Sequence, residues 1–442
     1  MPTTFRPYAP DQELLLPTSL LEWLPEDHLV YCISDAVDAL DLSAFYARYG
    51  GDGRRRAPYE PVMMVKVLVY SYATGVFSSR KMAQKLKEDV AFRVLGANNF
   101  PAHRTLREFR QLHLSELSEL FVKVVKLASE AGLVKLGRLG VDGTKVRANA
   151  SKRKAMSYGR MQKEEERLKK EIEELLSRAE KQDRAEDREH GDRQGDELPE
   201  ELRRRSDRLK VIEEAKGRLE ARQREADEAA GRREDDDGDT RGPSGRRCKR
   251  ALGEPPEKAQ ENFTDPESRI MMTSDGYQQC YNAQAAVDET HQLIVASDVG
   301  NNASDAGQLI PLVDQTRRNL GRKPTRVLAD TGYASEATFE ALEERRIRGY
   351  VALGREGKST RSIDADNHPA TARMAKRLAS ASGKANYRRR KAIPEPVFGW
   401  IKQVLGFRRF SMRGLESAKA EWNLVCLAVN LKRMHALNWR PA

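Results

Sequence analysis

Three carboxylates occupy positions from which they could share divalent cations. Asp142 (RLGVDGTKVRA) and Asp330 (TRVLADTGY) each follow a short apolar run that is typical of a buried strand. Glu395 is the only acidic residue among the 29 from Asn386 to Gly414, which include eight Lys and Arg. Carboxylates bind divalent cations and basic side chains bind phosphates, so this set predicts metal-dependent chemistry on DNA.

These three carboxylates are the predicted catalytic residues and metal ligands, with two Mg²⁺ or Mn²⁺ ions as cofactor. Two divalent cations a few ångströms apart can activate an attacking water or hydroxyl and stabilise the leaving oxygen. An Asp at the end of a strand is usually a cap or turn residue, so no single one of the three decides the matter. They are far apart in sequence, and only the fold can bring them together.

A basic helix is predicted to begin near Pro394 and to carry Glu395. Lys402 follows Glu395 by seven residues, so in an α-helix it faces the same way about 10 Å further along. That position suits a DNA phosphate, although a merely solvated Lys402 is the alternative. The other predicted DNA contacts here are Arg389, Arg390 and Lys391. The predicted packed side consists of Val397, Ile401, Val404 and Leu405.

Composition and motifs narrow the class of protein. A net charge of +11 over 442 residues favours a polyanionic partner, although it would suit a ribosomal protein equally well. The four cysteines form no C-x-x-C pair, and neither H-E-x-x-H nor G-x-S-x-G occurs, which argues against zinc sites, disulfide frameworks and serine hydrolases. Without a signal peptide or a long apolar run, the protein is expected to be soluble and intracellular.

Residues 1–135 are predicted to be a helical, DNA-binding N-terminal domain. Helices are expected to begin at Pro61, at Ser78 or Ser79, and at Thr105. They could form a DNA reader of the helix-turn-helix kind or a helical bundle with a solvated basic face, and both readings stay open. The basic residues expected to be exposed are Arg80, Lys81, Lys85, Arg104, Arg107 and Arg110, of which Arg80, Lys81 and Arg107 are the predicted DNA contacts.

A charged segment interrupts the pattern after the first predicted strand, residues 136–155. Residues 156–228 are predicted to form a coiled-coil hairpin, and residues 229–262 to be a disordered linker. The apolar seams expected in the hairpin are Met161, Leu168, Ile172, Leu175 and Ala179, then Leu202, Leu209, Ile212, Ala215 and Leu219. A third possible function, that of a coiled-coil scaffold, would account only for Met161 to Leu219 and not for the rest of the chain.

Sheet-like sequence resumes within residues 263–442. YNAQAAVD and QLIVASDV predict a hairpin, followed by a helix at residues 306–320, the strand RVLAD, a helix at residues 335–345, the strand GYVALG and the basic helix. This is the element order of an α/β ribonuclease-H-like domain that is interrupted after its first strand. Such a sheet places its first and fourth strands side by side, and hence Asp142 beside Asp330.

The chain resembles the DDE transposases of bacterial insertion sequences over nearly its whole length. The similar segments are YEPVMMVKVLVYSYATGVFSSRKM, VDGTKVRANAS, GDRQGDELPEEL, DPESRIM with GYQQCYNAQAAVD, VLADTGY and EPVFGWIKQVLGFRRFSMRG. The resemblance implies that Asp142, Asp330 and Glu395 form the metal-binding triad. Many relatives have Tyr, two residues, Arg, three residues, Glu, six residues, Lys. Glu395 and Lys402 match this signature, whereas Tyr387 and Arg390 are one residue out of step and Lys391 holds the Arg place.

The sequence therefore predicts a transposase that cuts DNA at the terminal inverted repeats of its element and joins the ends to target DNA. A homodimer is the expected active complex. The alternatives are a ribonuclease-H-like nuclease without strand transfer and a catalytically idle DNA-binding protein derived from a transposase. The three retained carboxylates argue against the idle form.

Overall fold

A computed structural model describes residues 19–49, 58–190, 200–232, 250–354 and 364–440. In these ranges only helices precede the first strand, which confirms the predicted helical N-terminal region. They are α1 (Leu29–Asp38), α2 (Ser43–Tyr46), α3 (Pro61–Ala73), α4 (Ser79–Glu88), α5 (Val90–Gly96), α6 (His103–Leu112) and α7 (Leu114–Glu130). As predicted, α3 begins at Pro61 and is buried on nearly all sides.

Two of the predicted N-terminal helices are each divided in two. The first divides at Asp89, whose side chain accepts a hydrogen bond from Ala91 N (3.1 Å) and thereby caps α5. The second divides at His113, which leaves the helical conformation. Its buried ring packs against the rings of Phe45 and Phe109. Local capping and tertiary packing therefore override the continuous helical pattern.

A six-stranded mixed sheet forms the centre of the C-terminal region. The strands of the described chain are β1 (Arg138–Arg147), β2 (Ala155–Ser157), β3 (Gln260–Asn262), β4 (Arg269–Thr273), β5 (Gly276–Asp288), β6 (Ile294–Gly300), β7 (Arg326–Ala329) and β8 (Arg348–Val351). The order is β4-β5-β1-β7-β8, β6 also pairs with β5, and β2 pairs with β3 separately. β5 is antiparallel to β1, β4 and β6, whereas β1, β7 and β8 are parallel. The predicted β5–β6 hairpin is confirmed.

The remaining helices include several that the sequence did not predict. They are α8 (Tyr158–His190), α9 (Glu200–Ala229), α10 (Leu309–Leu320), α11 (Glu336–Glu344), α12 (Pro369–Ala379), α13 (Ala381–Arg388), α14 (Pro394–Gly399) and α15 (Leu415–Ala436). The predictions of α10, α11 and α14 are confirmed, whereas α12, α13 and α15 were missed. α15 packs on β6, α3 and α7, so one hydrophobic core joins the N-terminal helices to the sheet. No helix in the described ranges is long and apolar enough to cross a membrane.

Helices α8 and α9 lie against each other and have a small core of their own. The predicted seam residues Met161, Leu168, Ile212, Ala215 and Leu219 are buried in it, together with Tyr158. Ion pairs cross between the helices, including Lys216 with Glu165 at 2.9 Å. The predicted seam side chains of Ala179 and Leu202 lie outside the described residues, and the supercoil itself stays a prediction.

The structure of the predicted linker at residues 229–262 differs from the expectation where it is described. Residues 233–249 lie outside the described residues. At the C-terminal end, β3 pairs with β2, and the Glu261 carboxylate is buried. Glu261 accepts hydrogen bonds from Arg218 Nε (2.7 Å) and from Arg222 of α9. Charged residues that look solvated in the sequence are ordered here because they have partners of opposite charge.

Candidate active site

Asp142 and Asp330 lie on neighbouring parallel strands. Asp142 is in β1, and Asp330 directly follows β7. The pairing of β1 with β7 runs up to Gly140 opposite Leu328, and the same register continued by two residues places Asp142 alongside Asp330. The predicted adjacency of these two residues is therefore confirmed.

The two carboxylates affect each other electrostatically. Burial raises the pKa of Asp142 to about 6, the hydrogen bond from Gly143 N (2.8 Å) opposes this shift, and the charge of Asp330 adds to it. Asp330 is held by a hydrogen bond from Gly332 N to its Oδ1 (2.8 Å). The protein thus keeps two negatively charged groups close together, which is typical of a site that binds a cation.

A third carboxylate, that of Asp305, belongs to the same site. It lies in the loop between β6 and α10, and its Oδ1 accepts hydrogen bonds from Asn282 Nδ2 (2.7 Å) and Gln284 Nε2 (2.8 Å). A Cβ at Gly332 would lie 3.0 Å from Asp330 Oδ1 and 3.2 Å from Asp305 Oδ2. Asp305 and Asp330 therefore approach the same point.

Gln284 of β5 is hydrogen-bonded to several residues around Asp305. Its side-chain oxygen accepts a hydrogen bond from Tyr333, and its main-chain oxygen accepts one from Trp422 Nε1 (2.9 Å). A Cβ at Gly143 would overlap the Gln284 amide and lie 2.8 Å from Asp305 Oδ1, so this close approach requires glycine. Burial and the nearby carboxylates raise the pKa of Tyr333, which keeps its hydroxyl protonated as a donor.

Glu395 lies in the first turn of α14, which packs against β1. A Cβ at Gly140 would lie 2.8 Å from side-chain atoms of Ile393 and Pro394, so this helix begins directly on the strand that carries Asp142. The Glu395 side chain is half exposed, with its Oε1 4.0 Å from a guanidinium nitrogen of Arg390.

Arg390 interacts electrostatically with two of the predicted catalytic residues, Asp142 and Glu395. Its side chain is 11% exposed, and its charge lowers the pKa of Asp142 while its guanidinium approaches Glu395. α13 ends at Arg388 and α14 begins at Pro394, so Arg390 lies in the turn that joins the two helices, beside the helix that carries Glu395.

The predicted triad does not form a compact cluster of three carboxylates. In the part of the chain that the structure describes, no three Asp, Glu, His or Cys side chains converge closely enough to hold a metal ion. The charges of Asp330 and Asp305 both act on Asp142, and the Glu395 carboxylate lies next to Arg390.

The helix that carries Glu395 does not continue as an α-helix to Lys402. Residues Trp400–Val404 form a π-helical turn, which has more residues per turn and so rotates the later side chains. Val397, Ile401 and Leu405 are buried as predicted, but Val404 is 63% exposed and that prediction was wrong. Lys402 is half-buried, and the charge of Asp142 is one of those that act on its pKa.

The predicted DNA contacts fall into two groups. Arg80 and Lys81 are exposed in the first turn of α4, and Arg107 is exposed on α6. Arg389 is exposed but pairs with Glu289 at 2.6 Å, and Lys391 is exposed in the turn before α14. These positions leave all five side chains at the surface.

Arg110 corrects the sequence-based prediction, because it is buried and not exposed. Its Nη1 donates to Tyr72 Oη (2.8 Å), which in turn donates to Glu421 Oε1 (2.7 Å). A buried guanidinium is tolerated here because a buried carboxylate lies in the same hydrogen-bonded network. The basic helical pattern could not reveal this partner, since Glu421 lies in α15.

Two families of known proteins match the chain. A transposase domain, DUF772, matches residues 18–112, and a transposase DDE domain matches residues 246–431. Both are transposase families, and together they account for more than half of the chain. The chain belongs to the insertion-sequence DDE transposases. No curated protein and no solved structure matches it.

In this transposase the DDE-domain match includes Asp305, Asp330 and Glu395, whereas Asp142 precedes it. Asp305 is the site residue that the sequence did not reveal. It stands in the polar segment NNASDAG, which is typical of a turn, and no apolar run leads directly into it. Its contacts with Asn282 and Gln284 of β5 and with Lys145 of β1 distinguish it from an ordinary loop residue.

Proposed function

We propose that this transposase cleaves DNA at the terminal inverted repeats of its insertion sequence and joins the freed 3′-hydroxyl to target DNA, in a reaction that depends on divalent metal. The observation that supports this most is the pairing of Asp142 with Asp330 on adjacent parallel strands, with α14 and Glu395 packed against the same strand. Asp142, Asp330 and Glu395 are the catalytic residues of the proposal.

The strand order supports a ribonuclease-H-like catalytic fold. β1 is flanked by the antiparallel β5–β6 hairpin on one side and by the parallel β7 and β8 on the other. In this proposal residues 136–155 and 263–442 form the catalytic domain. Residues 156–228 are a coiled-coil insertion, residues 229–262 link it to the domain, and residues 1–135 bind DNA.

The ligand chemistry of the three carboxylates fits the divalent metal ions that DDE transposases use. Oxygen ligands are those that Mg²⁺ and Mn²⁺ prefer. Burial is the main cause of the raised pKa of Asp142, the charge of Asp330 adds to it, and a divalent cation would offset both effects. Asp142, Asp330 and Glu395 would hold the ions. Bound there, the metal would stabilise the negative charge that develops on the phosphate and on the leaving oxygen.

The protein's own residues position the DNA and the carboxylates. Asp305 is held by Asn282, Gln284 and Lys145. In this proposal Asp305 helps to position the neighbouring Asp142 and Asp330. Arg390 and Lys402 act on the charge of Asp142 and would meet the phosphates beside it. The other proposed DNA contacts are Arg389, Lys391, Arg80, Lys81 and Arg107.

We further propose a homodimer as the active form, because an insertion sequence has two ends to cut. The proposed setting is the nucleoid in the cytoplasm, where the DNA substrate is found. The net charge of +11 supports binding to DNA, since basic side chains release counterions from the phosphate backbone.

The test uses the full-length protein and a duplex that contains one element end joined to flanking DNA, with a supercoiled plasmid as target. We expect nicking at the end and joining to the plasmid in Mg²⁺ or Mn²⁺, and neither product in EDTA. Cleavage without joined product would favour a nuclease, and firm binding without cleavage in either metal would favour the idle DNA-binding protein.

A further inference from the structure

A basic cleft separates the N-terminal helices from the segment that precedes α15. Its volume is about 570 Å³, and its lining contains four arginines and no carboxylate. The arginines are Arg107 and Arg110 of α6, with Arg409 and Arg413 from the C-terminal region. Because Arg107, Arg409 and Arg413 are exposed, their charge is available to a ligand in the cleft.

The N-terminus of α4 opens into this cleft. Ser78 and Ser79 are among the lining residues, and the side chain of Ser78 makes no capping hydrogen bond. The bond from Met82 N to Ser78 O (2.8 Å) closes the first turn, so the amides of residues 79–81 have no acceptor within the helix. These amides and the helix dipole favour an anion at this place.

Arg110 is the buried arginine of the cleft lining. It is 3% exposed, and its Nη1 donates to Tyr72, Phe77 O (3.2 Å) and Ser411 Oγ (3.0 Å). Its Nε is buried without a hydrogen-bond partner. Arg110 therefore adds a positive charge beside the cleft and fixes the position of its wall through bonds to Tyr72, Phe77 and Ser411.

The segment before α15 is fastened both to the end of β1 and to the N-terminal region. Asn149 Nδ2 donates to Ser411 O (2.7 Å), and Arg413 Nε donates to Asn149 O (3.1 Å). The rings of Phe77 and Phe407 meet edge to face at 5.0 Å between centroids. The arginines are therefore presented by a preformed surface, which lowers the entropic cost of binding.

The cleft is connected to the catalytic strand. Asn149 lies just beyond the end of β1, seven residues after Asp142, which corresponds to about 23 Å at roughly 3.3 Å per residue. Lys145 and Arg147 of β1 lie between Asp142 and Asn149, and Arg147 forms a β-bridge with Arg409 of the cleft. A cationic path thus leads from Asp142 to the cleft.

We propose that this cleft binds the phosphate backbone of the DNA strand about seven nucleotides from the phosphodiester held at Asp142, at roughly 3.4 Å per nucleotide. The inference rests on the proposed function, because it assigns that phosphodiester to Asp142. It makes the junction between the N-terminal helices and the C-terminal region a DNA-positioning site.

The test compares Arg409→Gln/Arg413→Gln with the matched control Arg317→Gln/Arg318→Gln, which removes two exposed arginines from α10. Binding is measured by fluorescence anisotropy over a range of salt concentrations. One duplex extends about 20 base pairs past the cleavage site, and the other stops about four base pairs past it, short of the cleft. On the long duplex the cleft variant should lose affinity, and its salt slope should fall by about two.

On the short duplex the cleft variant should match the wild-type protein, and the α10 control should match it on both. Equal binding of the long duplex by the cleft variant and the wild type would overturn the cleft assignment alone. Failure of the wild-type protein to bind either duplex would overturn the proposed function as well. If the double variant unfolds at a lower temperature than the control, the single variant Arg409→Gln replaces it in the binding measurements.

Discussion

Asp305 holds together the polar residues around Asp142 and Asp330, the two aspartates of the proposed catalytic triad. Its Oδ1 accepts hydrogen bonds from Asn282 and Gln284 and pairs with Lys145 at 3.3 Å. These donors come from β5 and β1, so the Asp305 carboxylate connects both strands to its own loop. Asp330 lies close to the same carboxylate. Loss of this acceptor would leave partly buried amides without a partner.

Asp305→Ala should lower the free energy of unfolding by about 1–3 kcal/mol, because it leaves those amides unsatisfied. Asp305→Asn should cost less, since it keeps an acceptor oxygen, but it should slow cleavage because the ion pair with Lys145 is lost. Chemical denaturation and cleavage rates measure the two effects.

The matched control is Glu340→Ala, which removes an exposed carboxylate from α11. It should change neither stability nor cleavage appreciably. If Asp305→Ala were as stable as this control and cleaved at the wild-type rate, Asp305 would have no part in the site.

At this scale the sequence predicted the adjacency of Asp142 and Asp330, because each follows an apolar run that forms a buried strand. It did not predict Asp305, whose partners come from β5 and β1, remote in the sequence. It also placed Arg110 at the surface, since nothing near α6 reveals that Glu421 of α15 lies in the same network.

The helical elements show where local patterns succeed and where they fail. Pro394 and the apolar spacing predicted α14 and the burial of Val397, Ile401 and Leu405. The same spacing assumed 3.6 residues per turn, so it could not anticipate the π-helical turn that exposes Val404. The missed helix α15 is buried on most of its surface. It therefore has little of the one-sided pattern by which surface helices are recognised.

The α8–α9 hairpin should be separable from the rest of the fold. Its apolar contacts form a small cluster distinct from the main core, and they end near Leu168 and Leu209. Replacing residues 172–208 with a short Gly/Ser linker should therefore leave the cooperative thermal unfolding of the remaining protein intact.

The control for that truncation is Glu261→Gln, a change at the base of the hairpin, where Arg218 and Arg222 meet the buried carboxylate. It should loosen α9 against β3 and raise amide exchange in residues 215–229, whereas the truncation should not. Loss of cooperative unfolding in the truncated protein would show that the distal hairpin is part of the main fold.

The whole molecule has one principal hydrophobic core that extends across the predicted boundary near residue 135. α15 packs on α3 and α7, and the buried network of Tyr72, Arg110, Ser411 and Glu421 joins the two regions. The sequence indicated a helical region followed by an α/β region. It could not indicate that the two share a core, because the helix that joins them is the C-terminal one.

A protein that begins at Val134 should therefore fail to unfold cooperatively, since it exposes the face of α15 that α3 and α7 cover. Calorimetry of this truncation beside the full chain measures the effect. A sharp transition near that of the full chain would contradict the shared core. Recognition of element ends by the N-terminal helices is better tested by Arg80→Gln/Lys81→Gln, because both side chains are exposed on α4.

The most direct measurement of the central claim scores binding and metal-dependent cleavage of one end-containing duplex by four variants. Asp142→Ala, Asp330→Ala and Glu395→Ala should abolish cleavage and bind DNA as well as the wild type or slightly more tightly. Each removes a proposed metal ligand and also a negative charge that repels the phosphate backbone. Lys402→Ala should instead weaken binding and reduce the salt slope by about one. Cleavage at the wild-type rate by the Glu395→Ala protein would remove Glu395 from the active site and contradict the proposed triad.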